Sequence, residues 1–259
     1  MALFGSLNDV VFGIGTLALV ALAVYLVRKR LAPVVVGDAD SVVAVAAAII
    51  AVYGLILSLT LAAAWERYQR ADETLVNELN SIFILHRMAD MWQGDGEDDL
   101  QRALVEYGEA VYANELSGKS PSHSHGANGR AALSKVYTAM AAITTGPHGD
   151  YGSVNNMWER LSDIDNSRGI RLTLTHEALP AQFWTVLYLG GAISLLALVM
   201  IHPANGKLHF VFSLGAAALI VITLVLLHDL DAPLEGKTTI DFDAFRRGID
   251  ILEETTPGV

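Results

Sequence analysis

Residues 42–91 read VVAVAAAII AVYGLILSLT LAAAWERYQR ADETLVNELN SIFILHRMAD M. From Val42 to Ala64 there is no Asp, Glu, Lys or Arg. At roughly 1.5 Å of helix per residue, a run of that length spans a hydrocarbon core about 30 Å thick. It lacks the strict alternation of a barrel strand and reads as a helix. Nothing then ends it. Between Trp65 and Met91 there is neither Gly nor Pro, and apolar residues recur at Leu75, Leu79, Ile82 and Phe83. The pattern predicts one helix from residue 42 to about 91, crossing the bilayer as far as 64 and continuing beyond it. Gly94, Asp95 and Gly96 stop it.

Three further windows carry no charge: Val10 to Val27, Leu179 to Ile201, and Leu208 to Leu227. Only 17% of the chain is charged, against about 25% in an ordinary soluble domain, and this deficit sits in the four windows. The first window is not a signal peptide by pattern. Met1 to Asp9 holds no positive charge, and Arg28, Lys29 and Arg30 follow the apolar run instead of preceding it. The expected fold is therefore an all-α membrane protein with four transmembrane helices in two hairpins. The first hairpin occupies 1–64, with spans at about 10–27 and 42–64, and turns through Leu31 to Ser41, where Pro33, Gly37 and Asp38 break helix. The second occupies 179–228, with spans at about 179–201 and 208–227, and turns through His202 to Lys207.

The remainder forms a helical soluble domain built from the 65–178 insertion and a C-terminal helix within 229–259. Four spans put both termini and this domain on one side of the membrane. Between Trp65 and Glu177 stand 17 acidic and 10 basic residues, a net of −7; from Asp229 onward the net is −5. Such a balance makes nucleic acid a poor partner and attracts cations. Asp95 or Asp98 is expected to cap a helix running to about Glu115, with Leu100, Leu104, Tyr107 and Val111 on one face. Residues 117–130 read as a mobile loop, 131–143 as a helix, and Ser153 or Asn155 as the start of another. After Pro233 and Gly236, Asp241 opens an amphipathic helix with Phe242, Phe245, Ile249 and Leu252 inward. No cysteine is present, which excludes disulfides and thiolate chemistry.

Several groups of residues are candidate sites. Tyr53, Thr60 and Arg67 recur every seven residues, with Leu57 and Ala64 in the same stripe. Such a face suits a central passage with Leu57 as an apolar constriction, and it equally suits helix packing, which favours small and polar residues in membranes. Glu66, Arg67, Arg70, Glu73 and Glu78 cluster just past the second span. Glu66 and Arg70 stand i,i+4 in the favourable order, and charges beside a membrane exit also line ion paths. His228, Asp229 and Asp231, at the end of the fourth span, suit either a cation site or helix-end markers. His123, His125 and His148 lie in Gly/Ser-rich segments without the fixed scaffold a zinc site requires. Asp95, Glu97, Asp98 and Asp99 lack the terminal bidentate Glu of a calcium loop and read as a charged turn. No metal or cofactor is assigned. No nucleophile, phosphate loop or paired carboxylate points to an enzyme.

The ordered series Trp65, Arg67, Arg70; Val76, Asn77, Glu78; Leu85, His86, Arg87; Leu104, Tyr107, Glu115; Arg168, Arg171, Leu172; Leu179, Pro180, Trp184 resembles a known family. So does Leu230-Asp231-Ala232-Pro233-Leu234-Glu235-Gly236, where Leu234 replaces a usual Phe. These are the bestrophin-like proteins, four-span membrane proteins of unknown function distantly related to the bestrophin ion channels, and the match covers roughly residues 42–250. The resemblance implies a homo-oligomer, a pentamer, with the second span around a central pore that passes inorganic ions. It also implies a location in the cell (inner) membrane with the soluble domain and termini in the cytoplasm; the basic residues near the span ends do not decide orientation. The acidic soluble parts add an expectation of cation preference. The alternative is a non-conducting, membrane-anchored signalling or scaffold protein.

Overall fold

A computed structural model of the chain describes residues 39–92, 96–116, 127–144, 151–176, 179–200, 206–231, 240 and 242–256. Among them every regular element is a helix: α1 (Ala39–Asp90), α2 (Glu97–Val111), α3 (Ala127–Thr144), α4 (Tyr151–His176), α5 (Ala181–Met200), α6 (Gly206–Asp231) and α7 (Phe242–Thr255). A π-helical stretch, Tyr112–Leu116, continues α2. The expected first span at 10–27 lies outside the described residues. α1 is the single long helix expected from residues 42–91; its 52 residues measure roughly 78 Å.

Three of these helices are long and apolar enough to cross a membrane, within Ser41–Asp90, Ala181–Val199 and Phe210–Asp231. No more than 22% of any of their apolar windows is buried within the chain. Val45, Leu55, Leu59, Leu189, Val211, Phe212 and Leu219 all face outward. Apolar surface on that scale is tolerated against lipid or another apolar surface and not against water. The protein is an all-helical integral membrane protein.

The chain divides into two compact units, Met1–Glu66 with Ala178–Ala232, and Arg67–Glu177 with Pro233–Val259. In the first, the buried positions of α1 are Ala46, Tyr53, Leu57, Thr60 and Ala64, spaced by three, four or seven residues along one face. Tyr53 lies over a glycine pair on α5. A Cβ at Gly190 would come within 2.7 Å of its ring and one at Gly191 within 3.0 Å of its hydroxyl. Small residues here allow the close helix approach that replaces the hydrophobic effect as the source of packing energy in lipid. α6 packs on α5, burying Ser213, Ala217, Val221, Leu227 and Leu230.

In the second unit the later part of α1 (Leu75, Ile82, Leu85) shares a core with α2 (Leu100, Leu104, Val111), α3 (Val136, Met140), α4 (Leu161, Ile164) and α7 (Phe245, Ile249, Leu252). The inward faces expected for α2 and α7 are thus the buried ones, except that Phe242 is only partly covered. Three local expectations are corrected. Asp98 does not cap α2. Its N-cap is Gly96, at φ 100°, with no side-chain hydrogen bond, and Glu97, Asp98 and Asp99 occupy the first turn, where carboxylates are favoured by the helix dipole. α3 begins at Ala127, so residues 127–130 of the expected loop are helical. α4 begins at Tyr151, ahead of Ser153 and Asn155.

Candidate functional site

Of the charges expected to cluster past the second span, Glu66, Arg70 and Glu73 are exposed, whereas Glu78 is fully buried. Helical spacing explains the separation. Glu78 continues the inward row Ala71, Leu75, Ile82 and Leu85, so its carboxylate enters the core of the second unit and must find partners there.

Those partners come from two other helices. Arg171 on α4 clasps Glu78 through two bonds, Nε to Oε2 at 2.8 Å and Nη2 to Oε1 at 3.2 Å. The Tyr107 hydroxyl of α2 donates to Glu78 Oε1 at 2.5 Å. Arg171 Nη2 also donates to Glu115 Oε2 at 2.8 Å, and Arg168 Nη2 donates to Glu115 Oε1 at 2.8 Å. Two carboxylates and two guanidiniums balance, with side chains no more than 6% exposed. Burial pulls the Arg171 guanidinium toward neutrality, but Glu78 and Glu115 outweigh it and drive its pKa above the usual value. The Tyr107 phenol is pushed well above 10, first by burial and then by the neighbouring Glu78 charge. Arg171 and Tyr107 are therefore each held in one protonation state at ordinary pH.

The π-helical stretch supplies Glu115. An extra residue in the turn rotates the side chains after it, a device that often marks functional positions. Gly129, near the start of α3, completes the site, since a Cβ there would sit 2.2 Å from Glu115 Oε1 and 3.2 Å from Arg168 Nη2. In the sequence, Glu78, Tyr107, Glu115, Arg168 and Arg171 all carry the family resemblance, but nothing there pairs one with another. A signal is present all the same: opposite charges stand at core spacing, Glu78 in α1 and Arg171 in the row Met157, Leu161, Ile164 and Leu174. Only the tertiary fold pairs them.

The stripe Tyr53, Leu57, Thr60 and Ala64 is buried within the first unit, and this placement favours its helix-packing role. Arg67 is half-buried. On the opposite face of α1, Leu55, Leu59, Ala62 and Glu66 are exposed. At the end of α6, the Asp231 carboxylate accepts the Leu179 backbone N–H at 2.8 Å, and His228 meets the Trp184 ring edge-on at 5.6 Å. Both tie the end of α6 to the start of α5. Asp229 is exposed. Asp99 pairs with Arg102. His123, His125, His148 and Asp95 lie outside the described residues, and among the described residues no group of three or more His, Asp or Glu gathers as for a metal.

Apolar spanning helices, a second helical unit with a neutral buried charge cluster, and one helix running through both define the class: an all-helical membrane protein. The chain belongs to the bestrophin-like family, whose domain model matches residues 14–245. Its fold is that of a bacterial bestrophin homologue from Klebsiella pneumoniae. One structure of a single-site mutant superposes with a TM-score of 0.78 at 12% identity, covering 95% of this chain and 99% of that one. Another, solved by Zn-SAD phasing, gives 0.76 at 12% identity, covering 95% and 98%. No curated protein matches the chain.

Proposed function

We propose that the protein is an oligomeric ion channel in the cell membrane, a ring of copies, most simply five, around an axis lined by α1, with cation preference. The observation that carries this reading is the two-faced character of α1. One face packs inside the protomer through Tyr53, Leu57, Thr60 and Ala64. The other leaves Leu55, Leu59 and Ala62 uncovered and then reaches Glu66. A ring places this second face on the axis, giving an apolar constriction followed by acidic side chains, the elements that set gating and selectivity in pores. The family and fold support the same assembly, as does the acidic charge outside the spans, which enriches cations locally. Cytoplasmic placement of the soluble unit and termini goes with this proposal.

Two measurements test it. Native mass measurement of the purified particle in nanodiscs should give a closed homo-oligomer; a monodisperse monomer overturns the channel reading and leaves a membrane-anchored scaffold. Reversal potentials in planar bilayers under a salt gradient should shift toward the cation equilibrium potential. Chloride selectivity that weakens in Arg67→Ala would show instead that a nearby ring of guanidiniums dominates the distant acids.

A further inference from the structure

Within the first unit, α1, α5 and α6 line a half-open cavity of about 360 Å³. Ile50, Leu57, Leu195, Leu198, Leu219 and Ile220 form most of its wall. An engineered apolar cavity of about 150 Å³ already binds benzene, so this one holds a larger guest. Four hydroxyl-bearing residues also border it, and two of them, Tyr53 and Ser194, set it apart from an ordinary packing gap.

The other hydroxyls of these spans with a described partner are satisfied by their own helices. Ser58 donates to the Leu55 carbonyl, Thr60 to Ile56, Thr185 to Ala181 and Thr223 to Leu219, at 2.8 to 3.1 Å. Tyr53 and Ser194 depart from this pattern. They are 6% and 2% exposed, and neither hydroxyl has a hydrogen-bond partner. In a hydrocarbon environment no water competes to satisfy them, and an unpaired hydroxyl carries its full desolvation cost. Both lie in the interior of the spans rather than at their ends, out of reach of the ester and headgroup oxygens of a bilayer phospholipid, which stay near the interface.

We propose that this cavity binds a small uncharged amphiphile, a short hydrocarbon chain bearing one alcohol oxygen. The chain lies against the leucines and isoleucines; the alcohol oxygen accepts from the Tyr53 hydroxyl and its own O–H donates to Ser194 Oγ, with a small side-chain rotation. A charged guest is disfavoured because no ionised side chain borders the cavity. The site does not depend on conduction.

The test is photolabelling of the full-length protein in nanodiscs with a diazirine-bearing octanol, with modified residues mapped by mass spectrometry. Label should concentrate on Leu57, Leu195 and Leu198, and excess octanol should displace it while octane of the same length does so weakly. Tyr53→Phe and Ser194→Ala should each weaken octanol competition about fivefold, the worth of one hydrogen bond, with little effect on octane. Leu198→Trp should abolish the site by filling it. Equal competition by octane and octanol in the unmodified protein overturns the proposal and leaves an acyl-filled gap. Label spread evenly onto outward-facing residues of α6 such as Val211 and Phe212 overturns it as well. Both readouts come from the unmodified protein, so a variant that fails to fold does not obscure the answer.

Discussion

Glu78 is the residue on which the second unit turns. A carboxylate at a core position of α1 is stable only because Arg171, Tyr107 and, through Arg171, Glu115 surround it. Removing one partner of a buried pair leaves the other charge uncompensated. Arg171→Met is therefore expected to cost about 3–5 kcal/mol, read as a large fall in the thermal midpoint of the detergent-purified particle. The double variant Glu78→Leu with Arg171→Met should recover part of that loss. If the single and double variants melt alike, the pair is not coupled as its geometry demands. His86 offers a second residue-scale prediction. Its Nε2 lies 2.9 Å from the Thr256 hydroxyl, which itself donates to the Leu252 carbonyl at 2.7 Å, so His86 Nε2 carries the proton and donates. Burial lowers the His86 pKa below 6.5, and the Asp90 charge offsets only part of this. The unfolded state thus binds a proton more readily. The stability due to neutral His86 is complete above about pH 6.5 and declines as pH falls from there toward the folded pKa. Hydrogen-exchange protection at Leu252 to Thr256 should drop between about pH 7.5 and about pH 5.5, a window bracketing the unfolded pKa, and become flat with pH in His86→Gln.

At the scale of the element, α1 and α5 illustrate how a membrane helix pair is specified without a hydrophobic driving force. Tyr53 fits over Gly190 and Gly191 because neither presents a Cβ. Gly190→Val should displace the ring and cost about 1–3 kcal/mol, the usual cost of overpacking. A compensating Tyr53→Ala in the same chain should restore part of it; destabilisation that simply adds would refute direct contact. The π-helical stretch makes a comparable point in the second unit. Nothing in Tyr-Ala-Asn-Glu-Leu distinguishes it from ordinary α-helix, and its start follows from where Glu115 must reach. Gly129→Ala should destabilise the unit as a displaced Glu115 leaves Arg168, and Glu115→Gln should reduce the penalty of adding that methyl group.

For the whole molecule, the proposed cation preference is an electrostatic effect with a definite salt dependence. Screening shortens from about 10 Å at 0.1 M to about 3 Å at 1 M. The cation-to-anion permeability ratio should fall as both bathing solutions are concentrated, and Glu66→Gln should lower it further at low salt. A ratio independent of salt would place selectivity in close coordination inside the constriction rather than in the acidic field.

The long uninterrupted α1, the spanning windows of α5 and α6, and the inward rows of α2 and α7 were legible from the chain alone. Each is a one-dimensional property: a run of apolar residues matched to bilayer thickness, or a period of 3.6 set by the backbone. So was the family, carried by spaced residues from Trp65 to Gly236. The partners were not legible. The stripe Tyr53, Leu57, Thr60 and Ala64 has the same pattern whether it faces a passage or a neighbouring helix, and only the fold places Tyr53 over Gly190 and Gly191. Glu78 reads as one member of a charge group with Glu66 and Glu73, because sequence distance does not say which side of a helix is covered. The fold alone brings Glu78 to Arg171, 93 positions later, since a buried charge is placed by the three-dimensional need to be neutralised.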